Sequence, residues 1–159
     1  MLQAHDVRAL ADVRRFPGSR RHPHFGREQL EPFLRAHGIE YVWMPELGGR
    51  RKARKDSPHT GWRVEAFRGY ADYMDTDEFR AALTRLLELA RGLPTAIMCA
   101  EQLWWQCHRR LISDALLAQG HEVLHIESAK KASPHKLVSP ARLVGGTLSY
   151  AAEQPDLQL

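Results

Sequence analysis

The chain has 159 residues, of which 43% are hydrophobic and two are cysteines. It has no apolar run near the roughly 20 residues of a membrane span and no signal-peptide pattern, so we predict one cytoplasmic domain, residues 1–159, with no membrane contact. A domain of this size forms a core without disulfides or metal, and two cysteines are too few for a disulfide framework. We therefore expect two reduced thiols, and the sequence requires no cofactor.

The net charge of +4 is concentrated in the first half of the chain. Residues 1–70 carry fourteen Lys and Arg against eight Asp and Glu, whereas residues 71–159 carry nine against eleven. A basic surface attracts polyanions in general, so the pattern predicts either a nucleic-acid contact or only a solvated face. The densest basic group consists of Arg50, Arg51, Lys52, Arg54 and Lys55.

The chain begins with a predicted strand, helix and strand. Residues 9–14 form an apolar run that ends in polar side chains, which indicates a buried strand with Asp12 and Arg14 at its rim. Residues 27–37 have apolar side chains at helical spacing before a glycine, and residues 39–43 again read as a strand.

A long loop and two helices follow. Residues 44–62 are polar, basic and rich in Gly and Pro, and a loop of this length is usually functional or mobile. Residues 64–73 predict a short helix. A capping-box pattern at residues 75–78 starts the next helix, which extends to about residue 90.

The remaining pattern predicts a strand at 95–100, a helix at 104–119 and a strand at 121–126, followed by a basic tail at 127–159 with a short closing element. Strands that alternate with helices imply a parallel sheet. We predict an α/β three-layer sandwich in which helices cover both faces of a mainly parallel sheet of about four strands.

Residues 98–110, MCAEQLWWQCHRR, lie where the third predicted strand meets its helix. Ligands of open α/β sheets bind at the carboxyl ends of the strands, so this position favours a site. On a helix that begins at Trp104, with about 100° per residue, His108 falls on the buried face with Trp104. Arg110 then faces solvent, and Trp105, near the edge, is placed either to cover the pocket or to stack on a base.

Several kinds of chemistry fit this segment. A metal would use Cys99, Cys107 and His108, but adjacent helical residues diverge by about 100°, so we do not expect Cys107 and His108 to share an ion, and no metal is favoured. A disulfide between the cysteines has no CxxC spacing to support it. A cysteine nucleophile at the helix start would have a lowered pKa, although the glycines of a phosphatase loop are missing.

Acid/base chemistry fits the residue types best. His108, Glu101, Asp12 and Cys99 are the candidate catalytic residues, and Arg14 and Arg109 are candidate anion-binding residues. The alternative for the same group is a buried polar network that only fixes the fold.

Separated motifs between Ala9 and Ile126 resemble the bacterial and archaeal domain-of-unknown-function family numbered 488. They are Asp12-Val13-Arg14, Phe16-Pro17, Ser19, Phe25, Tyr41, Pro45, Leu47-Gly48-Gly49, Cys99-Ala100-Glu101, Cys107-His108-Arg109 and His125-Ile126. The resemblance implies an α/β domain and no established activity. It adds Ser19, Gly48 and Gly49 to the candidate substrate-binding residues.

One departure concerns the start of the chain. Family members usually open with a strand ending in Gly-His-Ser and a helix, whereas Met1 to Val7 matches only the end of that helix. The resemblance therefore leaves two expectations: either the start of the sequence lies too late, or the first family strand is missing here together with a His and a Ser that would line the rim, and the pocket is altered. In the second case we expect a partner chain, such as a second copy in a homodimer, to cover the open sheet edge.

Three functions follow from these observations. The first is an enzyme, of hydrolase or transferase type, that acts on a phosphate-bearing, nucleotide or nucleic-acid substrate. The second is a non-catalytic nucleic-acid-binding module that uses the basic loops, and the third is a Cys/His metal site.

Overall fold

A three-stranded parallel sheet forms the centre of the computed structural model, which describes residues 1–153. Its strands are β1 (Ala9–Asp12), β2 (Glu40–Trp43) and β3 (Thr95–Met98), in the order β2-β1-β3. Asp12 lies opposite both Trp43 and Met98, so the three strands end together and their carboxyl ends form one rim. The last six residues of the predicted tail lie outside the described chain.

Four α-helices follow the predicted order: α1 (Arg27–Ala36), α2 (Glu65–Met74), α3 (Asp77–Gly92) and α4 (Arg109–Ala118). The predicted start of α3 is confirmed: Thr76 is its N-cap, and the Thr76 hydroxyl accepts a hydrogen bond from the Phe79 amide. A 3-10 turn, Leu2–His5, precedes β1. None of the helices in the described chain has the length and apolar character needed to cross a membrane.

Two apolar clusters pack against β1. Leu10 packs with Leu30 and Leu34 of α1, whereas its neighbour Ala11 belongs to the larger cluster, which includes residues of α2, α3 and α4. Successive side chains of a strand point to opposite faces, which explains why adjacent residues enter different clusters. All four residues of β1 are buried, as expected for the central strand.

The fourth predicted strand does not join the parallel sheet within residues 1–153. The segment Leu124–Ser128, here β4, instead pairs antiparallel with β5 (Lys131–Pro134). Leu124 is exposed and polar residues interrupt the apolar pattern, whereas a strand of a covered parallel sheet is apolar on both faces. A second hairpin, β6 (Arg142–Val144) with β7 (Thr147–Ser149), completes the described part of the tail.

The helix after β3 begins five residues later than its pattern predicts. Residues 104–106 form a 3-10 turn, and Cys107 has an extended backbone with φ −137° and ψ 169°. His108 therefore lies at the N-cap of α4 and not in its second turn. Trp104, expected in the core, is only half-buried.

The long segment 44–62 is irregular but packed. Leu47 and Trp62 are buried in the larger core cluster. Arg110, expected to face solvent, lies with its guanidinium 4.8 Å from the Trp62 ring and donates hydrogen bonds to the carbonyls of Val138 and Ser139.

Candidate metal centre at the rim of the sheet

Three potential metal ligands meet between β3 and α4. Cys99 directly follows β3, and Cys107 and His108 directly precede α4. The sulfur atoms of the two cysteines and a ring nitrogen of His108 all lie within 4.8 Å of one another. The helical rotation that argued against a shared ion does not apply, because Cys107 is not helical.

The two cysteine sulfurs lie 2.9 Å apart, and N–H groups surround both of them. Each accepts the backbone N–H two residues further on: the Glu101 amide lies 3.2 Å from Cys99 Sγ, and the Arg109 amide lies 3.3 Å from Cys107 Sγ. The Arg109 side chain donates to Cys107 as well, with Nε at 3.1 Å. Donors of this kind stabilise negative charge on sulfur.

The two thiols do not ionise alike. A hydrogen bond from Cys99, together with the Arg109 guanidinium, lowers the pKa of Cys107 to about 6 although burial opposes ionisation. The hydrogen bond to Cys107 and burial raise the pKa of Cys99. At neutral pH the pair therefore consists of a Cys107 thiolate and a Cys99 thiol that donates to it.

His108 is held as a neutral imidazole across the end of β1. Its Nε2 lies 3.1 Å from the carbonyl oxygen of Val13, so Nε2 carries the hydrogen and Nδ1 keeps a free lone pair. Burial, with the positive charges of Arg109 and Arg51, lowers its pKa to about 4. A neutral ring with one nitrogen bonded to a backbone carbonyl is the form in which histidine binds metals.

Gly49 packs directly against this ring. A Cβ atom at position 49 would lie 2.9 Å from His108 Nδ1, so only glycine fits without a shift. At Gly48, a Cβ would lie 2.9 Å from the Cβ of Arg15. The two glycines, which the resemblance placed near a ligand, thus allow the loop after β2 to approach His108 and the segment after β1.

The Arg109 side chain contacts Glu101 at the backbone carbonyl of Glu101. Arg109 Nη2 donates to the carbonyls of Glu101 and Gln102 and so ties the loop after β3 to the start of α4. The Glu101 residue is exposed at the rim. Arg109, a candidate anion-binding residue, is thus bonded on one side to a sulfur and on the other to two carbonyls.

Asp12 and Arg14 form a buried ion pair. Arg14 Nε lies 2.8 Å from Asp12 Oδ1 and Nη2 lies 2.6 Å from Oδ2, while Nη1 donates to the Phe25 carbonyl. The Tyr41 hydroxyl also donates to Asp12, and burial together with this bond raises the pKa of Tyr41. The two residues at the end of β1 therefore bond to each other and to the protein interior.

The remaining predicted residues lie in loops. The Ser19 hydroxyl accepts from the His22 amide at 2.9 Å and closes a turn. In the basic loop, the Arg51 guanidinium lies 3.6 Å from the centre of the Tyr73 ring and Arg54 lies 3.7 Å from Asp72. The exposed members of the basic group are Arg50, Lys52, Arg54 and Lys55.

A second polar group, which the sequence pattern did not predict, lies behind α4. Asp114, on the buried face of α4, accepts hydrogen bonds from His135 and Tyr150, and His135 in turn contacts His125. In the sequence, Asp114 follows Leu111 by three residues on a helix face that is otherwise apolar. A carboxylate at such a position needs buried hydrogen-bond partners, so its position could have predicted this group.

The comparisons with known proteins identify a family but no individual similar protein. A family model described as a domain of unknown function, DUF488, matches residues 1–116, which include all the residues of the candidate centre. No curated protein and no solved structure matches the chain.

Proposed function

We propose that this chain, which belongs to the domain-of-unknown-function family DUF488, is a metal-dependent enzyme that acts on an anionic substrate at the carboxyl rim of its sheet. One observation carries the proposal: two sulfurs and an imidazole nitrogen within 4.8 Å of one another. The proposal keeps the predicted three-layer arrangement, in which helices cover both faces of the sheet and leave the rim open.

The donor set favours a thiophilic divalent cation such as Zn²⁺. Thiolates and neutral imidazole are the ligands that zinc prefers, and three protein ligands with a free fourth position are typical of catalytic zinc. Two sulfurs 2.9 Å apart that both accept amide hydrogens share an environment suited to negative charge, which a dication neutralises. A bound cation would supply Lewis-acid chemistry toward an anionic oxygen.

The other residues of the rim have supporting roles in this proposal. Val13 orients His108, and Arg109 holds Cys107 against the loop after β3. The exposed carboxylate of Glu101 supplies acid/base chemistry beside the centre. The buried pair of Asp12 and Arg14 fixes the end of β1 and does not itself react.

Metal analysis of the purified protein tests this function without knowledge of the substrate. Protein prepared without a histidine tag should contain about one zinc ion per chain, as a single tetrahedral centre requires. Cys107→Ser and His108→Asn should each lose the zinc, and His24→Asn, which removes an exposed histidine from a 3-10 turn, is the matched control. A wild-type protein that binds no zinc, even after incubation with excess Zn²⁺, would refute the proposal.

The exposed basic loop favours nucleic acid as a second candidate function. Arg50, Lys52 and Lys55 are exposed and form no ion pair within the described residues. Phosphate contacts would make binding fall steeply with salt. Fluorescence anisotropy with labelled single-stranded DNA and RNA, measured at several salt concentrations, tests this candidate, and salt-independent or absent binding excludes it.

A further inference from the structure

A chain of buried polar groups runs from α4 to β4. Asp114 Oδ1 lies 2.8 Å from His135 Nε2, and His135 Nδ1 lies 2.9 Å from His125 Nε2. The Tyr150 hydroxyl donates to the other carboxylate oxygen at 2.8 Å. Asp114 and the side chain of His135 are 0% exposed, whereas His125 is only half-buried. The group thus leads from the protein interior toward the surface.

With both imidazoles neutral, the hydrogen bonds assign a hydrogen to one nitrogen of each ring. A carboxylate only accepts, so His135 Nε2 carries the hydrogen that points at Asp114. In a neutral imidazole the other nitrogen then accepts, so His125 Nε2 donates to His135 Nδ1. The same logic leaves His125 Nδ1 without a hydrogen and with a free lone pair.

The outer imidazole packs on the loop that joins two of the candidate metal ligands. Its ring stacks on Trp104 with 3.7 Å between centroids and 2° between planes, and Trp104 lies in the loop that joins Cys99 to Cys107. Burial lowers the pKa of His125 to about 4, and the positive charge of Arg109 adds to this shift, although Glu127 opposes it. Arg109 is also the residue that donates to Cys107, so one guanidinium acts on both groups.

We propose that Asp114, His135 and His125 form a proton relay in which His125 Nδ1 accepts a proton from the reaction at the rim. When Nδ1 takes the proton, the hydrogen on His125 Nε2 moves to His135 Nδ1, and the resulting imidazolium of His135 lies against the Asp114 carboxylate. The relay thus gains the one positive charge that the reacting group loses. The catalytic part of this inference rests on the proposed function, whereas the hydrogen positions do not.

Imidazole NMR of the full-length protein tests the hydrogen positions. Two-dimensional nitrogen spectra should show His125 with a protonated Nε2 and an unprotonated Nδ1 throughout the range from about pH 5 to pH 8, in which an ordinary histidine titrates. His135→Phe removes the acceptor of Nε2–H and should give a mixture of tautomers. Tyr150→Phe removes a bond to Asp114 outside the relay and is the matched control. A wild-type mixture of tautomers, or ordinary titration of His125, overturns the relay even if His135→Phe fails to fold.

Turnover tests the catalytic part. With the zinc-loaded protein and p-nitrophenyl phosphate as the probe, His125→Gln should lower kcat about 100-fold, the effect typical of a lost proton acceptor, at unchanged zinc content. With zinc kept at saturating concentration, the kcat of the wild type should stay level down to about pH 5, because His125 is unprotonated there. An unchanged kcat in His125→Gln overturns the catalytic role. No turnover by the zinc-loaded wild type contradicts catalysis in both proposals, and zinc binding then shows separately whether the metal site is correct.

Discussion

The Nε2 atom of His108 lies 3.1 Å from the carbonyl oxygen of Val13, although 95 positions separate the two residues in the chain. This contact joins the start of α4 to the end of β1, and it fixes the imidazole with its other nitrogen free. The residue that faces that other nitrogen is Gly49, in the loop after β2. The ring is therefore held between segments that follow two neighbouring strands.

Gly49→Ala should weaken zinc binding and destabilise the protein. Its Cβ would lie 2.9 Å from His108 Nδ1, and the ring has little room to retreat because Nε2 is bonded to Val13. Overpacking of this kind costs about 1–3 kcal/mol. Urea unfolding and competition with a chromogenic zinc chelator measure the two effects. Gly18→Ala, where a Cβ meets no atom within 4 Å, is the matched control. Wild-type zinc affinity in Gly49→Ala would show that the ring is free to move.

Asp12→Asn should destabilise the fold strongly. It removes the charge opposite Arg14, whose side chain is 7% exposed, and an unpaired buried charge costs about 3–5 kcal/mol. Urea unfolding at neutral pH gives the free energy directly. The control is Asp56→Asn, an exposed carboxylate 3.9 Å from Arg54, for which we expect about 0–1 kcal/mol. Equal, small effects for both variants would mean that Arg14 finds another partner.

Zinc affinity should depend on the ionisation of Cys107. Protons compete with the metal for both sulfurs, so zinc affinity should rise with pH. Cys99 is still a thiol at neutral pH and must lose its proton to bind, whereas Cys107, with a pKa of about 6, adds a second competing proton only below about pH 6, where the loss of affinity should steepen. Arg109→Gln removes the guanidinium that lowers this pKa and should move the loss of affinity to higher pH. Chelator competition across the pH range measures both curves. An affinity that stays level well below pH 6 is incompatible with this assignment.

Substitution of Arg51 and of Lys52 should distinguish a structural role from a nucleic-acid-binding role in the basic loop. Arg51 packs on the Tyr73 ring and donates to the Gly48 carbonyl, so Arg51→Ala should cost about 1–2 kcal/mol of stability and leave any nucleic-acid affinity unchanged. Lys52 is exposed, so Lys52→Ala should leave stability unchanged and weaken nucleic-acid binding. Thermal unfolding and anisotropy measure the two quantities. The reverse pattern would contradict the second candidate function.

The sequence by itself determined the order of the elements and the position of the rim. Apolar runs and helical spacing are local properties, so they predicted the three parallel strands and the four helices, and the capping pattern placed the start of α3. The same patterns placed the segment that contains Cys99, Cys107 and His108 near the rim, although they put Cys107 and His108 inside the helix.

Only the tertiary structure decided how these side chains combine. The pattern extended α4 back to Trp104, but Cys107 has an extended backbone and contacts Cys99, and His108 caps α4 and contacts Val13. No local spacing reveals these partners. The last predicted strand pairs outside the parallel sheet, and its partners too are not revealed by local spacing. His125 within it bonds to His135, ten residues further along the chain, and through it to a carboxylate on α4. Buried polar groups require partners, and those partners are chosen by the fold as a whole and not by neighbouring residues.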